Sequence, residues 1–118
     1  MNYFSHSASD FDHGVKLHRL PMVYAIYTPN FEYIKIGLTR SFKQRFLNIQ
    51  TACPFNLTLW LAIRSPRAYE IENELHANFC EWNVRGEWFT FTNESLNDLY
   101  NFFDLTNKNV REVSRALL

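Results

Sequence analysis

Two short apolar runs separated by a turn tripeptide constrain this chain more than any other feature. Residues 22–28 read Met-Val-Tyr-Ala-Ile-Tyr-Thr and residues 31–37 read Phe-Glu-Tyr-Ile-Lys-Ile-Gly. Both runs are rich in the β-branched and aromatic side chains that suit a pleated, half-buried surface. Thr28-Pro29-Asn30 supplies turn chemistry between them, since Pro fixes φ and Asn tolerates the left-handed region. The pair is therefore expected to form a β-hairpin. Gly37 is expected to end its second strand, where a side chain would be costly or in the way.

Helical and strand periods alternate after the hairpin. Ser41 can cap a helix in which Phe42, Phe46 and Ile49 recur at helical spacing, and Thr51-Ala52-Cys53-Pro54 closes it. Arg45 lies one turn from Phe42 and from Ile49, at the edge of the buried face. Residues 57–63 form an apolar run suited to a central strand. Ser65-Pro66 then opens a helix carrying Ala68, Ile71, Leu75, Phe79 and Trp82 on one stripe. An advance of about 100° per residue puts Glu72 within roughly 40° of that stripe's centre, and turns Glu70 and Glu74 to the far side. Residues 86–91 read as a short strand, and Thr92 or Asn93 can cap a helix bearing Leu96, Leu99, Tyr100 and Phe103. A last helix is expected from about Asn107, with Val110, Val113 and Leu117 in register.

The order is ββαβαβα followed by a further helix, an α+β fold. At 118 residues, 47% hydrophobic and 17% aromatic, with 3 Gly and 4 Pro, the chain has the profile of one compact domain. Residues 1–20, with His6, His13 and His18, are polar and lack periodicity, so they read as an N-terminal arm. The domain proper is assigned to residues 21–92, with C-terminal helices over 93–118 packed on it. No secretory signal or membrane-length apolar segment is evident, which predicts a cytoplasmic protein with no membrane partner. Cys53 and Cys80 have no framework spacing and are expected to be free, buried thiols. His76 and Cys80 are one turn apart, but a zinc site needs about four ligands and no second pair is evident.

The 12 basic and 12 acidic residues cancel, so affinity for a polyanion has to come from a local patch. Lys35, Arg40, Lys43 and Arg45 provide one, with no Asp or Glu between them; a solvated face accounts for the same pattern. An inward Glu72, an Arg45 at a buried edge and a hairpin tyrosine together suggest phosphate chemistry. Glu72 can give a hard cation an oxygen ligand. Arg45 can fork to two phosphate oxygens. Tyr24 or Tyr27 can orient or deprotonate a water. A structural Glu–Arg ion pair and ordinary core tyrosines explain the same residues.

Val23-Tyr24, then Ile34-Lys35-Ile36-Gly37-Leu38-Thr39, then Arg45, then Ala68-Tyr69-Glu70-Ile71-Glu72-Asn73-Glu74-Leu75-His76, resembles a GIY-YIG nuclease domain from about Met22 to Phe91. Gln50-Thr51-Ala52-Cys53-Pro54, the Glu72-x-x-Leu75-His76 spacing and Gly86-Glu87-Trp88-Phe89 are similar to a small phage and bacterial branch of that superfamily. The resemblance implies a small antiparallel three-stranded sheet flanked by helices, to which a short strand and a C-terminal helix are added here. It also implies metal-dependent hydrolysis of DNA. Glu72 would hold one Mg2+ or Mn2+, Tyr24 would organise the water, and Arg45 would meet the scissile phosphate. His76 would relay a proton, contact the phosphate or simply pack.

Three departures qualify that reading. The first triplet, Met22-Val23-Tyr24, lacks its Gly, and Lys35 stands where the family's second tyrosine is expected. Lys35 can hold a phosphate oxygen or, if burial lowers its pKa, act as a base. The family's late Asn has Asn83 as its nearest match, with Glu87 as a substitute. Two expectations follow. One is an active nuclease, and the other a non-cleaving module binding nucleic acid or a protein partner through the same cleft. A lone neutral domain has little surface to grip DNA, so a homodimer or host partner would extend it.

Overall fold

The computed structural model describes residues 19–116, with side chains to Asn109. The expected histidines of the arm, the side chains of Val110 and Val113, and Leu117 lie outside the described residues. The fold is α+β. Strands β1 (Met22–Tyr27), β2 (Ile34–Thr39), β3 (Thr58–Arg64), β4 (Asn83–Arg85) and β5 (Trp88–Phe89) form one antiparallel sheet in the order β3-β1-β2-β5-β4. Helices α1 (Phe42–Ala52), α2 (Ala68–Asn78) and α3 (Asn93–Ala116) pack around it. The sheet is thus one strand wider than the expected three with a short strand added. Residues 83–89 fold back on themselves about Gly86, at φ 55°, and contribute two strands where sequence suggests one.

β1 lies between β2 and β3, and its alternating side chains feed two cores. Val23 and Ala25 join Ile34, Ile36, Leu61 and Ile63 beneath Leu75 of α2 and Leu99 and Phe103 of α3. Met22, Tyr24 and Ile26 face the other way, with Ala62, against Phe42, Phe46 and Ile49 of α1. Both sheet faces are therefore covered, which is why β3 reads as a continuous apolar run although it is an edge strand. The expected central position was wrong because two-sided burial, not neighbours on both sides, produces such a run. Helix α3 also guards that edge, since Asn107 Nδ2 donates to Ala62 O at 3.0 Å.

The hairpin forms, with its second strand displaced. Thr28 N donates to Tyr33 O (3.0 Å), and Tyr33 N donates to Thr28 Oγ1 (2.9 Å). Asn30 and Phe31 both take positive φ, 62° and 55°. A left-handed Phe costs about 1–2 kcal/mol. Stacking of its ring on Tyr27 (4.1 Å) and edge contact with Trp60 (5.0 Å) offset that cost and hold Phe31 out of the strand. β2 therefore starts at Ile34, and Gly37 lies within it, with Leu38 and Thr39 continuing the pairing.

The helix ends depart from expectation in three places. Ser41 precedes α1 without a side-chain cap, and instead gives its N–H to Thr39 Oγ1 (3.0 Å). Ser65 does not cap α2 directly; its Oγ accepts from Arg67 N (3.0 Å) and the helix begins at Ala68. Thr92 caps α3 in a reciprocal pair with Ser95, Thr92 N to Ser95 Oγ (2.8 Å) and Ser95 N to Thr92 Oγ1 (3.1 Å). The two expected C-terminal helices are one. No Gly or Pro interrupts residues 93–116, and Asn107 is engaged with β3, so nothing ends the helix there.

Candidate active site

Tyr24 is fully buried on β1, directly opposite Gly37 on β2 and Ala62 on β3. Two small neighbours leave its phenol ring room to lie across the sheet, with the edge of Phe42 against it at 5.6 Å. Gly37 is essential to that room. A Cβ there would fall 2.6 Å from Tyr24 Cζ, 2.9 Å from Glu87 Oε1, and closer still to the Tyr24 hydroxyl. The hydroxyl is sealed from solvent and has no well-formed hydrogen bond. Its pKa is pushed up to about 12, first by burial and then by the Glu87 and Glu72 carboxylates, against the opposing pull of the Arg45 guanidinium. Tyr24 is thus a neutral phenol at physiological pH.

Glu72, on α2, is turned toward the sheet with 14% of its side chain exposed, whereas Glu70 and Glu74 are exposed, as the helical phase predicts. Burial raises its pKa first and repulsion from Glu87 adds to this; His76, Arg45 and Lys35 oppose the shift. All five predicted catalytic and metal residues, Tyr24, Lys35, Arg45, Glu72 and His76, thus share one electrostatic neighbourhood although they come from two strands and two helices. Arg45 is exposed on α1 and acts on both Tyr24 and Glu72 from the flank of the helix. Arg40 and Lys43 are also exposed, but neither is among the charges acting on Tyr24 or Glu72.

His76 follows Glu72 by one turn. Its Nε2 lies 4.0 Å from Glu72 Oε2, the outer limit of an ion pair, and 3.1 Å from Ile36 O. A carbonyl can only accept, so Nε2 carries the hydrogen and donates to the strand. With its ring edge on Phe89 (5.1 Å), His76 fastens α2 to β2. Proton relay would have to run through Nδ1.

Glu87 is the group that sequence reasoning undervalued. It sits in the β4–β5 turn, its Oε1 3.1 Å from Lys35 Nζ, while its main-chain carbonyl accepts from Ile36 N at 3.0 Å. Lys35 is 14% exposed and also overlies Trp88, 5.3 Å from the ring centroid. Asn83 belongs elsewhere, for its Nδ2 clamps the hairpin through Gly86 O (2.8 Å) and Trp88 O (3.1 Å). The sequence signals for Glu87 were its place in the Gly86-Glu87-Trp88-Phe89 motif and its standing as a substitute for the family's late Asn. Cys53 is half-buried and Cys80 exposed, against the expectation of buried thiols, because Cys80 falls in the short turn that follows α2. Among the described residues His76 and Cys80 gain no further ligands, and no three His, Cys, Asp or Glu side chains cluster.

The raised Glu72 pKa has a consequence for stability. A carboxyl whose folded pKa exceeds its unfolded value favours folding below the unfolded value and loses that contribution as pH rises through the folded one. Glu72→Gln should therefore raise the melting temperature near neutral pH, with the gain vanishing toward about pH 4, where both side chains are neutral. A gain of equal size at both pH values would show that carboxylate charge is not its cause.

Among the described residues no helix is long and apolar enough to cross a membrane. No curated protein and no solved structure matches the chain. A family model does, over residues 22–115, a span that opens on the first residue of β1, takes in every residue of the Tyr24–Glu72 neighbourhood and closes in the last turn of α3. By that match the chain belongs to the T5orf172 domain family.

Proposed function

We propose that the chain is a metal-dependent DNA endonuclease with a GIY-YIG type of active site. The observation that carries this reading is the meeting of Tyr24, Lys35, Arg45 and Glu72, from four separate elements, around a buried phenol hydroxyl that has no well-formed hydrogen bond. A structural core rarely leaves such a group, because an unsatisfied buried hydroxyl costs about 1–3 kcal/mol.

The donor set fits Mg2+ or Mn2+. Glu72 and Glu87 offer carboxylate oxygens and repel each other, a repulsion that a cation relieves. One or two carboxylates, with water and phosphate filling the remaining positions, is how magnesium is commonly held. When bound, the cation supplies charge to the phosphate and acidity to water. Tyr24, kept protonated, orients a water by hydrogen bonding and does not remove its proton. Arg45 forks to the scissile phosphate and stabilises charge on its oxygens. Lys35 adds a point charge and sets the position of Glu87. Hydrolysis adds water across one phosphodiester bond, leaving a phosphate monoester and a hydroxyl.

Incubation of the purified protein with supercoiled, linear and branched DNA, with magnesium, manganese or chelator, tests the proposal. Metal-dependent cutting is the expected result, and no cutting with either metal would overturn it. The second reading, a non-cleaving module for nucleic acid or a protein partner, is favoured by one observation: Tyr24 Oη is sealed from solvent, so a water has to displace a neighbour to reach it. Under that reading DNA binds without being cut. A second copy or a host partner would extend the grip of a neutral chain on DNA.

Lys35→Met should lower cleavage roughly tenfold or more, because it removes a phosphate contact and frees Glu87 to repel Glu72. The half-buried pair contributes roughly 1 kcal/mol, so the melting temperature should fall only by a few degrees. Unchanged cleavage by Lys35→Met would make its charge incidental.

A further inference from the structure

A groove of about 500 Å³ opens beside the candidate site, between the end of α1 with its following turn and the β4–β5 hairpin. Its walls include Tyr33, Phe55, Val84 and Trp88, and it carries two cations, Lys35 and Arg85. None of the residues lining it is acidic, and Arg85 forms no ion pair among the described residues.

One wall is built by the Gln50-Thr51-Ala52-Cys53-Pro54 motif, which the proposed reaction does not use. Gln50 Nε2 donates to Phe55 O at 2.9 Å and Gln50 Oε1 accepts from Leu57 N at 2.9 Å, so a single side chain clamps the turn from both ends. The clamp keeps Phe55 at the groove with 53% of it exposed, although Leu57 two residues later is buried. An exposed aromatic held by a dedicated hydrogen-bond pair is a built surface.

We propose that this groove takes an unpaired nucleobase of the bound DNA strand, stacked on Phe55, with an adjoining phosphate held by Lys35 and Arg85; the proposal rests on the nuclease reading above. An aromatic and apolar wall with no acidic lining residue, flanked by Arg85 and by Lys35 in its pair with Glu87, suits a planar group bearing an anion. Lys35 belongs both to the groove and to the Tyr24–Glu72 neighbourhood, so one strand can run through the two without a break. A paired base already has its faces stacked within the duplex, and only an unpaired one can offer a face to Phe55. The chain therefore selects single strands, forks or flaps over uninterrupted duplex.

Fluorescence anisotropy in chelator, with a labelled single strand, a fork and a perfect duplex of matched sequence, tests this without requiring cleavage. The wild type should bind the single strand and fork more tightly than the duplex. Phe55→Ala should weaken those two roughly tenfold or more and change duplex binding little. Arg85→Gln should weaken all three and reduce their salt dependence. Phe55 lies exposed on a turn, so a melting temperature close to wild type is expected and confirms that the loss is local. Equal binding of all three DNAs by the wild type, or Phe55→Ala binding as the wild type does, overturns the groove. Dissociation of a dimer by Phe55→Ala, or loss of binding to a protein partner alone, would assign it to protein contacts and overturn it as well. Selective binding without metal-dependent cutting would leave the groove standing and remove the catalytic reading; cutting without selectivity would do the reverse.

Discussion

Glu72→Gln should lower metal-dependent DNA cleavage by roughly a hundredfold to ten-thousandfold while metal-free DNA binding persists or tightens. The change keeps the size of the side chain and removes a charged ligand, so the loss is one of charge and not of shape. Binding should not suffer, because a carboxylate near a phosphate repels it. The competing explanation is a structural ion pair between Glu72 and Arg45, and under it the same substitution would strand a cation and destabilise the fold. The structure offers that explanation little support. Glu72 and Arg45 form no ion pair among the described residues, and after burial the largest influence on Glu72 is repulsion from Glu87. Cleavage at the wild-type rate by Glu72→Gln would remove the residue from the reaction. A lowered melting temperature at neutral pH would restore the structural ion pair.

What the sequence made legible follows from what is local. The hairpin, α1, and the inward phase of Glu72 between outward Glu70 and Glu74 depend on periods of two and 3.6 residues, which the chain carries in itself. Grouping Glu72, Arg45 and a hairpin tyrosine followed from the buried edge each occupies, and the family resemblance singled out Tyr24 and Lys35, since no period relates residues on four elements. Features set by partners distant in sequence stayed hidden. Phe31 reads as a strand residue, and only its stacking on Tyr27 and Trp60 explains its left-handed backbone. Glu87 reads as part of a short strand, whereas it lies in a turn and its weight comes from Lys35 on β2. His76 has the spacing of a catalytic group, but its bond to Ile36 O could not be read from α2 alone. The continuity of α3 was missed for a different reason. Asn107 has the composition of a cap, and its tertiary bond to Ala62 keeps it inside the helix.

Gly37→Ala should cost about 1–3 kcal/mol of stability and abolish most cleavage, although it adds a single methyl group. Gly37 does not have a positive φ, so the penalty is steric and not conformational. The new Cβ would fall on the Tyr24 hydroxyl and 2.6 Å from Cζ, and Phe42 and the strand partners leave the ring no free direction in which to retreat. Displacing Oη moves the group proposed to orient water, and a misplacement of about 1 Å can lower a rate a hundredfold. Tyr24→Phe separates the two effects. Alone it removes a buried hydroxyl that has no well-formed hydrogen bond, so the fold should hold or gain while cleavage falls. In the double variant the nearest clash is gone but Cζ remains, so stability should return in part and cleavage not at all. Calorimetry on the four proteins gives the coupling directly, and neighbours in contact are expected to depart from additivity by about 0.5–3 kcal/mol. If the two substitutions prove additive in stability, or if Gly37→Ala folds and cleaves as the wild type does, the packing of Tyr24 against Gly37 does not set the position of the phenol.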